Sequence, residues 1–95
     1  MKEIKQKVLN NVCYTELVYS RINKKLKIEF TKKQIEVFIH MILKETDDDL
    51  FLRTGKNIYV TNTENNIRIT INSNTFRIIT VDKIRKNGRP VNYNA

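Results

Sequence analysis

Residues 67–72 read IRITIN, and they alternate isoleucine with polar side chains without a break. Successive side chains of a β-strand point to opposite faces, so a period of two indicates a strand with one buried face. Residues 58–61 and 75–81 flank this stretch, and polar turn residues separate the three segments. With the apolar residues 50–52 as a possible further strand, the second half of the chain is predicted to be an antiparallel meander.

The first half of the chain has a helical period instead. Thr31 and Gln34 have the spacing of a capping box, and Phe30 is expected to staple onto Ile35. The apolar residues after this cap recur at helical spacing and are Ile35, Phe38, Ile39 and Ile42. This helix is apolar over most of its circumference, so we expect it to be the core helix.

Two shorter helices are predicted before it. Residues 2–11 have a weak amphipathic pattern, and Thr15 is the expected N-cap of the next helix. The apolar positions of that second helix are Leu17, Val18, Ile22 and Leu26. The predicted fold class is therefore α+β, with two or three N-terminal helices packed on one face of a C-terminal three- to four-stranded antiparallel β-meander. Residues 1–84 are expected to form one domain, helical over about 1–45 and sheet over about 50–84, and residues 85–95 are expected to form a basic C-terminal arm.

The chain has 95 residues and a formal net charge of +8. Residues 1–44 and 53–95 each carry +6, whereas residues 45–52 carry −4. Such an excess attracts polyanions, so the predicted partner is a nucleic acid or another anionic surface. The acidic segment is either a solvated loop or an intramolecular screen for part of the basic surface.

Few residues of this chain suit metal or covalent chemistry. Its single cysteine, Cys13, has no internal disulfide partner, and its single histidine, His40, gives no zinc-ligand spacing. We therefore predict no metal and no cofactor, with Cys13 as a buried small side chain and His40 as a structural or partly exposed residue. The N-terminal residues have no apolar signal region and no stretch is long enough for a membrane span, so a cytoplasmic protein without a membrane partner is expected.

The polar positions of the predicted strands form the main candidate site. If the isoleucines of residues 67–72 face the core, Arg68, Thr70 and Asn72 face an open side of the sheet. An aromatic ring stacks on a base while guanidinium groups contact phosphate, although the same residues also suit a merely solvated surface. The predicted nucleic-acid or partner-binding residues are Arg53, Lys56, Tyr59, Arg68, Arg77, Arg85, Lys86 and Arg89.

The chain resembles a bacterial family of short uncharacterised proteins, a domain of unknown function. The motifs that carry the resemblance are Thr15-Glu16-Leu17, Arg21-Ile22, Gly55-Lys56-Asn57, Tyr59-Val60, Ile69-Thr70-Ile71-Asn72 and Ile78-Ile79-Thr80. Two positions depart from the family pattern: Ile58 stands where an aromatic is preferred, and Asp82 where a histidine is preferred. If that histidine were a catalytic acid or base, this chain lacks it. The resemblance implies no function.

Three classes of function follow. The first is a small non-enzymatic protein that binds nucleic acid or a nucleic-acid-containing complex, for example an anti-CRISPR-like inhibitor of a bacterial defence complex encoded by a phage or mobile element. The second is a metal-independent endoribonuclease, because the order of helices and strands resembles, at fold level only, small toxins of the barnase, colicin and RelE type. Its catalytic residues would be His40, Arg68, Thr70 and Arg77. The third is a protein-interaction module or homodimer that binds an acidic protein surface, with residues 35–43 as the dimer seam.

Overall fold

The computed structural model describes residues 3–85. Its helices are α1 (Ile4–Asn11), α2 (Glu16–Leu26) and α3 (Lys32–Glu45), and a single 3₁₀ turn (Asp48–Leu50) follows them. Its strands are β1 (Phe51–Thr54), β2 (Asn57–Asn62), β3 (Ile67–Asn72) and β4 (Ile78–Lys83). They form one antiparallel sheet in the order β1-β2-β3-β4, which confirms the α+β prediction. Within residues 3–85 no helix is long and apolar enough to cross a membrane.

Helix α3 covers one face of the sheet and supplies much of the core. Its buried residues are Ile35, Ile39, Ile42 and Leu43, and they cluster with buried strand residues such as Val60 and Ile69. The predicted capping box is confirmed, because the Gln34 N–H donates to Thr31 Oγ1 at 3.1 Å and the Thr31 N–H donates to Gln34 Oε1 at 2.9 Å. Phe30 packs edge-on against Phe38, with ring centroids 5.8 Å apart.

Helix α2 runs along β4, the last strand of the sheet. Arg21 Nη1 donates to the Ile79 carbonyl at 3.0 Å, and Lys25 Nζ donates to Asp82 Oδ1 at 2.9 Å. The helix buries Val18, Ile22 and Leu26, which recur every four residues on one side. Leu17 was expected on that side, but it is 75% exposed because it lies about 100° around the helix from Val18.

The connection between β3 and β4 differs from the sequence prediction. Strand β4 begins at residue 78 rather than 75, because Asn72 Oδ1 accepts the N–H groups of Asn74 and Thr75 and holds the chain in a turn. Phe76 in this turn has a φ of +59°, a conformation that a non-glycine residue rarely adopts. The shift moves Arg77 out of the strand and into the connection.

Cys13 pairs with this connection from the segment between α1 and α2. Its N–H donates to the Phe76 carbonyl at 2.9 Å, and its carbonyl accepts the Ile78 N–H at 3.0 Å. The prediction of a buried Cys13 is wrong, since the thiol is exposed and lies 3.6 Å from the Thr75 carbonyl oxygen. The physical reason is that this segment lies at the sheet's margin, so a side chain there can point to solvent instead of the core.

Candidate functional site

Two connections lie at one end of the sheet, which we call the turn end. They are the β1–β2 turn, where Gly55 has a φ of +62°, and the β3–β4 connection over residues 73–77. The Ser73 N–H donates to the Lys56 carbonyl at 2.7 Å and so joins the two. Adjacent strands are roughly 4.8 Å apart, so Lys56 and Arg77 lie about two strand spacings from each other.

A cleft of about 290 Å³ lies at the same end, between the first turn of α2 and the β3–β4 connection. Arg21 and Arg77 line it from the two sides. Among the described residues no carboxylate lines this cleft. The acid of the first turn of α2, Glu16, accepts from Lys32 Nζ at 2.6 Å instead. Two arginines therefore line a cleft that no described acidic side chain lines.

Charge is segregated along the strands. Residues 50–63 and 65–81 include no aspartate or glutamate, so the strands and connections of the turn end carry only positive charge. The acidic run, Asp47 to Asp49, precedes β1, and Glu64 lies in the β2–β3 turn, both at the opposite end of the sheet. At that end Lys5 Nζ donates to the Thr46 carbonyl at 2.7 Å and lies 3.9 Å from Asp48 Oδ1. The acidic segment thus contacts a basic residue of α1.

The sheet face opposite α3, called here the outer face, is less open than the sequence predicted. Tyr59, Thr61 and Arg68 are half-buried, and Thr70 is only 7% exposed. The register explains this, because Thr70 lies on an inner strand directly between Tyr59 and Thr80. A small side chain between two neighbours on the same face loses most of its contact with solvent.

On the outer face, Arg68 contacts neighbouring side chains. Its Nε donates to Thr61 Oγ1 at 3.4 Å, and Asp82 lies directly opposite it on β4. The Tyr59 hydroxyl accepts from Asn57 Nδ2 at 3.2 Å. The outer face therefore combines basic, acidic and neutral groups, whereas the turn end is basic alone.

The other predicted binding residues are dispersed. Arg53 is exposed on the edge strand β1, opposite the buried Ile58. Arg85 is exposed beyond β4, near the β2–β3 turn and away from Lys56. Lys86 and Arg89, with most of the predicted C-terminal arm, lie outside the described residues. The structure thus brings together Lys56 and Arg77 from the predicted set.

The four residues predicted for an endoribonuclease are also spread over the molecule. His40 is exposed on α3 and lines a groove between α1 and α3. Arg68 and Thr70 lie on the outer face, across the sheet from α3, and Arg77 lies in the β3–β4 connection. In the part of the chain that the structure describes, no group of three His, Cys, Asp or Glu side chains is arranged to hold a metal ion.

The groove between α1 and α3 has an apolar wall. Val37 is 58% exposed and Met41 is 42% exposed, and Leu9 and Tyr14 line the groove beside them. Behind it, the Tyr14 and Tyr19 rings stack with centroids 5.5 Å apart. The Tyr19 hydroxyl donates to Glu36 Oε2 at 2.7 Å, and this hydrogen bond raises the pKa of Tyr19 to about 12. Tyr19 thus stays a neutral donor over the whole physiological range.

Sequence reasoning missed Arg21 as a site residue. Arg21 is not among the predicted binding residues, and only the packing of α2 along β4 places it in the same cleft as Arg77. The sequence contains one weak indication that Arg21 faces a neighbouring element: Arg21 and Lys25 are four residues apart and therefore share a helix face. Both reach β4, through a backbone carbonyl and a carboxylate respectively.

These features define a small α+β protein with an acid-free, arginine-bearing end of its sheet. The chain belongs to the family described as Protein of unknown function (DUF3781), whose model matches residues 6–82. The predicted membership of an uncharacterised family of short proteins is confirmed, whereas the similarity to small ribonuclease toxins is not. Comparison with curated proteins gave no match, and comparison with solved structures gave none either.

Proposed function

We propose that this protein binds nucleic acid, alone or within a nucleoprotein complex, through the turn end and without a catalytic step. The observation that carries the proposal is the convergence of Arg21, Lys56 and Arg77 at an end of the sheet whose strands and connections hold no carboxylate. Phosphate contacts from basic side chains supply most of the affinity in sequence-independent nucleic-acid binding.

The spread of these charges favours a polymer over a small anion. Arg21, Lys56 and Arg77 come from three different elements, and roughly two strand spacings separate Lys56 from Arg77. A nucleic-acid strand presents its phosphates at intervals of several ångströms and engages such charges one after another. The net charge of +8 adds long-range attraction. An inhibitor of a nucleic-acid-guided defence complex, competing for that complex's own nucleic acid, is one biological form of this proposal.

The Lys56→Gln/Arg77→Gln double variant is expected to bind a single-stranded RNA about tenfold more weakly than the wild type, which corresponds to about 1.4 kcal/mol. The slope of log affinity against log salt should become shallower by about 1.4, because each lost phosphate contact on a single strand contributes roughly 0.7. Fluorescence anisotropy with a labelled RNA at several salt concentrations measures both quantities.

The matched control is Lys7→Gln/Lys44→Gln, which lowers the net charge equally but at exposed positions of α1 and α3. Its affinity should fall much less than that of the turn-end variant. Equal losses in the two double variants would contradict a localised site and leave only a net-charge effect. The same mixtures are run on denaturing gels in metal-free buffer, where intact RNA is expected and new bands would favour the endoribonuclease.

A homodimer through the groove between α1 and α3 is the second candidate, favoured by the exposure of Val37 and Met41. It predicts a dimer in light scattering at high protein concentration, and Val37→Lys should convert that dimer to a monomer because it places a charge in an apolar seam. Leu52→Lys changes an equally exposed apolar residue on β1 and serves as the control. A wild-type monomer at the highest attainable concentration would remove this candidate.

A further inference from the structure

We propose that the cleft between α2 and the β3–β4 connection is a phosphate-binding pocket, in which Arg21 and Arg77 together hold one phosphate group. The inference rests on the proposed function, since that phosphate would belong to the bound nucleic acid. The guanidinium groups of Arg21 and Arg77 would receive its oxygens. Free inorganic phosphate has the same chemistry and is a separate arm of the test.

Arg21 is held in place before any ligand arrives. Its Nη1 donates to the Ile79 carbonyl at 3.0 Å, which uses one of the five N–H donors of the guanidinium. The remaining donors keep the fixed planar arrangement that matches two oxygens of one phosphate. A side chain that is already anchored loses less conformational entropy when it binds.

Arg77 lines the cleft on the side opposite Arg21. The Asn72 N–H donates to the Arg77 carbonyl at 2.9 Å, so the backbone at Arg77 is tied to the last residue of β3. Within residues 3–85 the structure shows no ion pair at its guanidinium, and Glu16, the acid of the adjoining helix turn, contacts Lys32 instead. Two like charges in one cleft repel each other, and an anion between them removes that repulsion.

The neutral polar side chains of the cleft have hydrogen-bond donors that the described contacts do not use. Asn72 Oδ1 already accepts the N–H groups of Asn74 and Thr75, so its Nδ2 group remains to donate. Thr75 Oγ1 accepts the Arg77 N–H at 3.4 Å, which leaves its hydroxyl hydrogen for a ligand. The Thr15 hydroxyl makes no capping hydrogen bond to α2. A pocket lined by unused donors suits an anion and not a cation.

The rest of the cleft fits the groups that flank a phosphate in a nucleotide. Leu17 lines the cleft and is 75% exposed, and Ile79 adds a second apolar surface. A volume of about 290 Å³ exceeds the space that a phosphate alone fills, so part of a sugar or base can contact Leu17. This assignment gives a role to an exposed leucine that the packing of α2 does not use.

The test is an NMR titration of the ¹⁵N-labelled full chain that follows the arginine Nε–Hε signals. The probes are inorganic phosphate and a short oligouridylate without terminal phosphates, with sodium chloride of equal ionic strength as the reference. The signals of Arg21 and Arg77 are expected to shift saturably with both probes, while that of Arg85, at the other end of the sheet, stays in place. Arg77→Gln should abolish the saturable shift of Arg21.

Two further variants separate a binding role from a structural one. Arg21→Lys keeps a donor for the Ile79 carbonyl but loses the planar fork, and it should weaken phosphate binding about tenfold while the backbone spectrum is retained. Lys44→Gln removes a charge elsewhere and should leave the titration unchanged.

The outcomes distinguish the pocket from the wider proposal. RNA binding that depends on Lys56 and Arg77, with no shift at Arg21, would overturn the pocket and leave the proposed function standing. Saturable shifts with inorganic phosphate but no RNA binding would support the pocket with free phosphate as its ligand and overturn nucleic-acid binding. No shift with either probe and no RNA binding would overturn both.

Discussion

The Asn62→Ala variant is expected to lower the free energy of unfolding by about 2 kcal/mol, because it removes the hydrogen bonds of this side chain, one of them to the buried Thr46 hydroxyl. Asn62 is 4% exposed at the end of β2, and Thr46, just after α3, is 2% exposed. Asn62 Nδ2 donates to Thr46 Oγ1 at 2.9 Å, and Asn62 Oδ1 accepts the Asn65 N–H at 2.8 Å. The side chain therefore links the helical half, the sheet and the β2–β3 turn.

Urea denaturation followed by circular dichroism measures this loss. Asn74→Ala is the control, since it changes an exposed asparagine in the β3–β4 connection and should shift the free energy of unfolding by less than about 0.5 kcal/mol.

A double-mutant cycle tests the contact itself. Thr46→Val removes the other partner of the hydrogen bond, whose hydroxyl also donates to the Ile42 carbonyl at 2.7 Å. The double variant should lose less than the two single variants combined, because both remove the same bond. Additive losses would contradict a direct Asn62–Thr46 contact.

The Ile39→Ala variant is expected to have the larger effect, a loss of about 3 to 4 kcal/mol in the free energy of unfolding. Ile39 is fully buried in the cluster that joins α3 to the sheet, so its truncation removes apolar contacts and leaves a cavity. In a chain of 95 residues such a loss is a large part of the total stability.

Val37→Ala provides a matched control on the same helix. Val37 is two residues from Ile39 but 58% exposed, so the truncation should change the free energy of unfolding by less than about 0.5 kcal/mol. Guanidinium denaturation of both variants gives the comparison. A similar stability for the two would show that α3 does not pack with its Ile39 side on the sheet.

The core positions and the turn end occupy different parts of the molecule. Asn62 and Thr46 lie at the end of the sheet that carries the acidic run, whereas Lys56 and Arg77 lie at the other end. Stability and RNA affinity are therefore expected to respond to different substitutions.

Most of the secondary structure could be predicted because its signals are local. The capping box of Thr31 and Gln34 and the alternation of residues 67–72 depend only on neighbours along the chain, and both are confirmed. The start of β4 could not be predicted in the same way. It depends on the Asn72 side chain, which binds the backbone of the turn, and on Cys13, which pairs with Arg77 in the connection from 64 residues away.

The same distinction between local signals and long-range contacts applies to the predicted site residues. Tyr59 and Arg68 lie on the outer face as the alternation indicates, because side-chain direction in a strand follows from the pleat. Their exposed fraction could not be predicted from the alternation, because it depends on which residues flank them across the sheet. Arg77 was expected within the strand predicted over residues 75–81, whereas the structure places it just before β4, in the cleft with Arg21.

The sequence by itself determined the α+β class, the order of helices and strands, the membership of an uncharacterised family and the excess of positive charge. The class and the order of elements follow from periodicity and caps, the charge follows from composition, and the family follows from the resemblance of several short motifs. Only the tertiary structure decided that Arg21 and Arg77 share a cleft and that the carboxylates of the sheet half lie away from the turn end. The physical reason is that the packing of α2 along β4 determines which side chains, distant in sequence, lie together. No local sequence pattern specifies that packing.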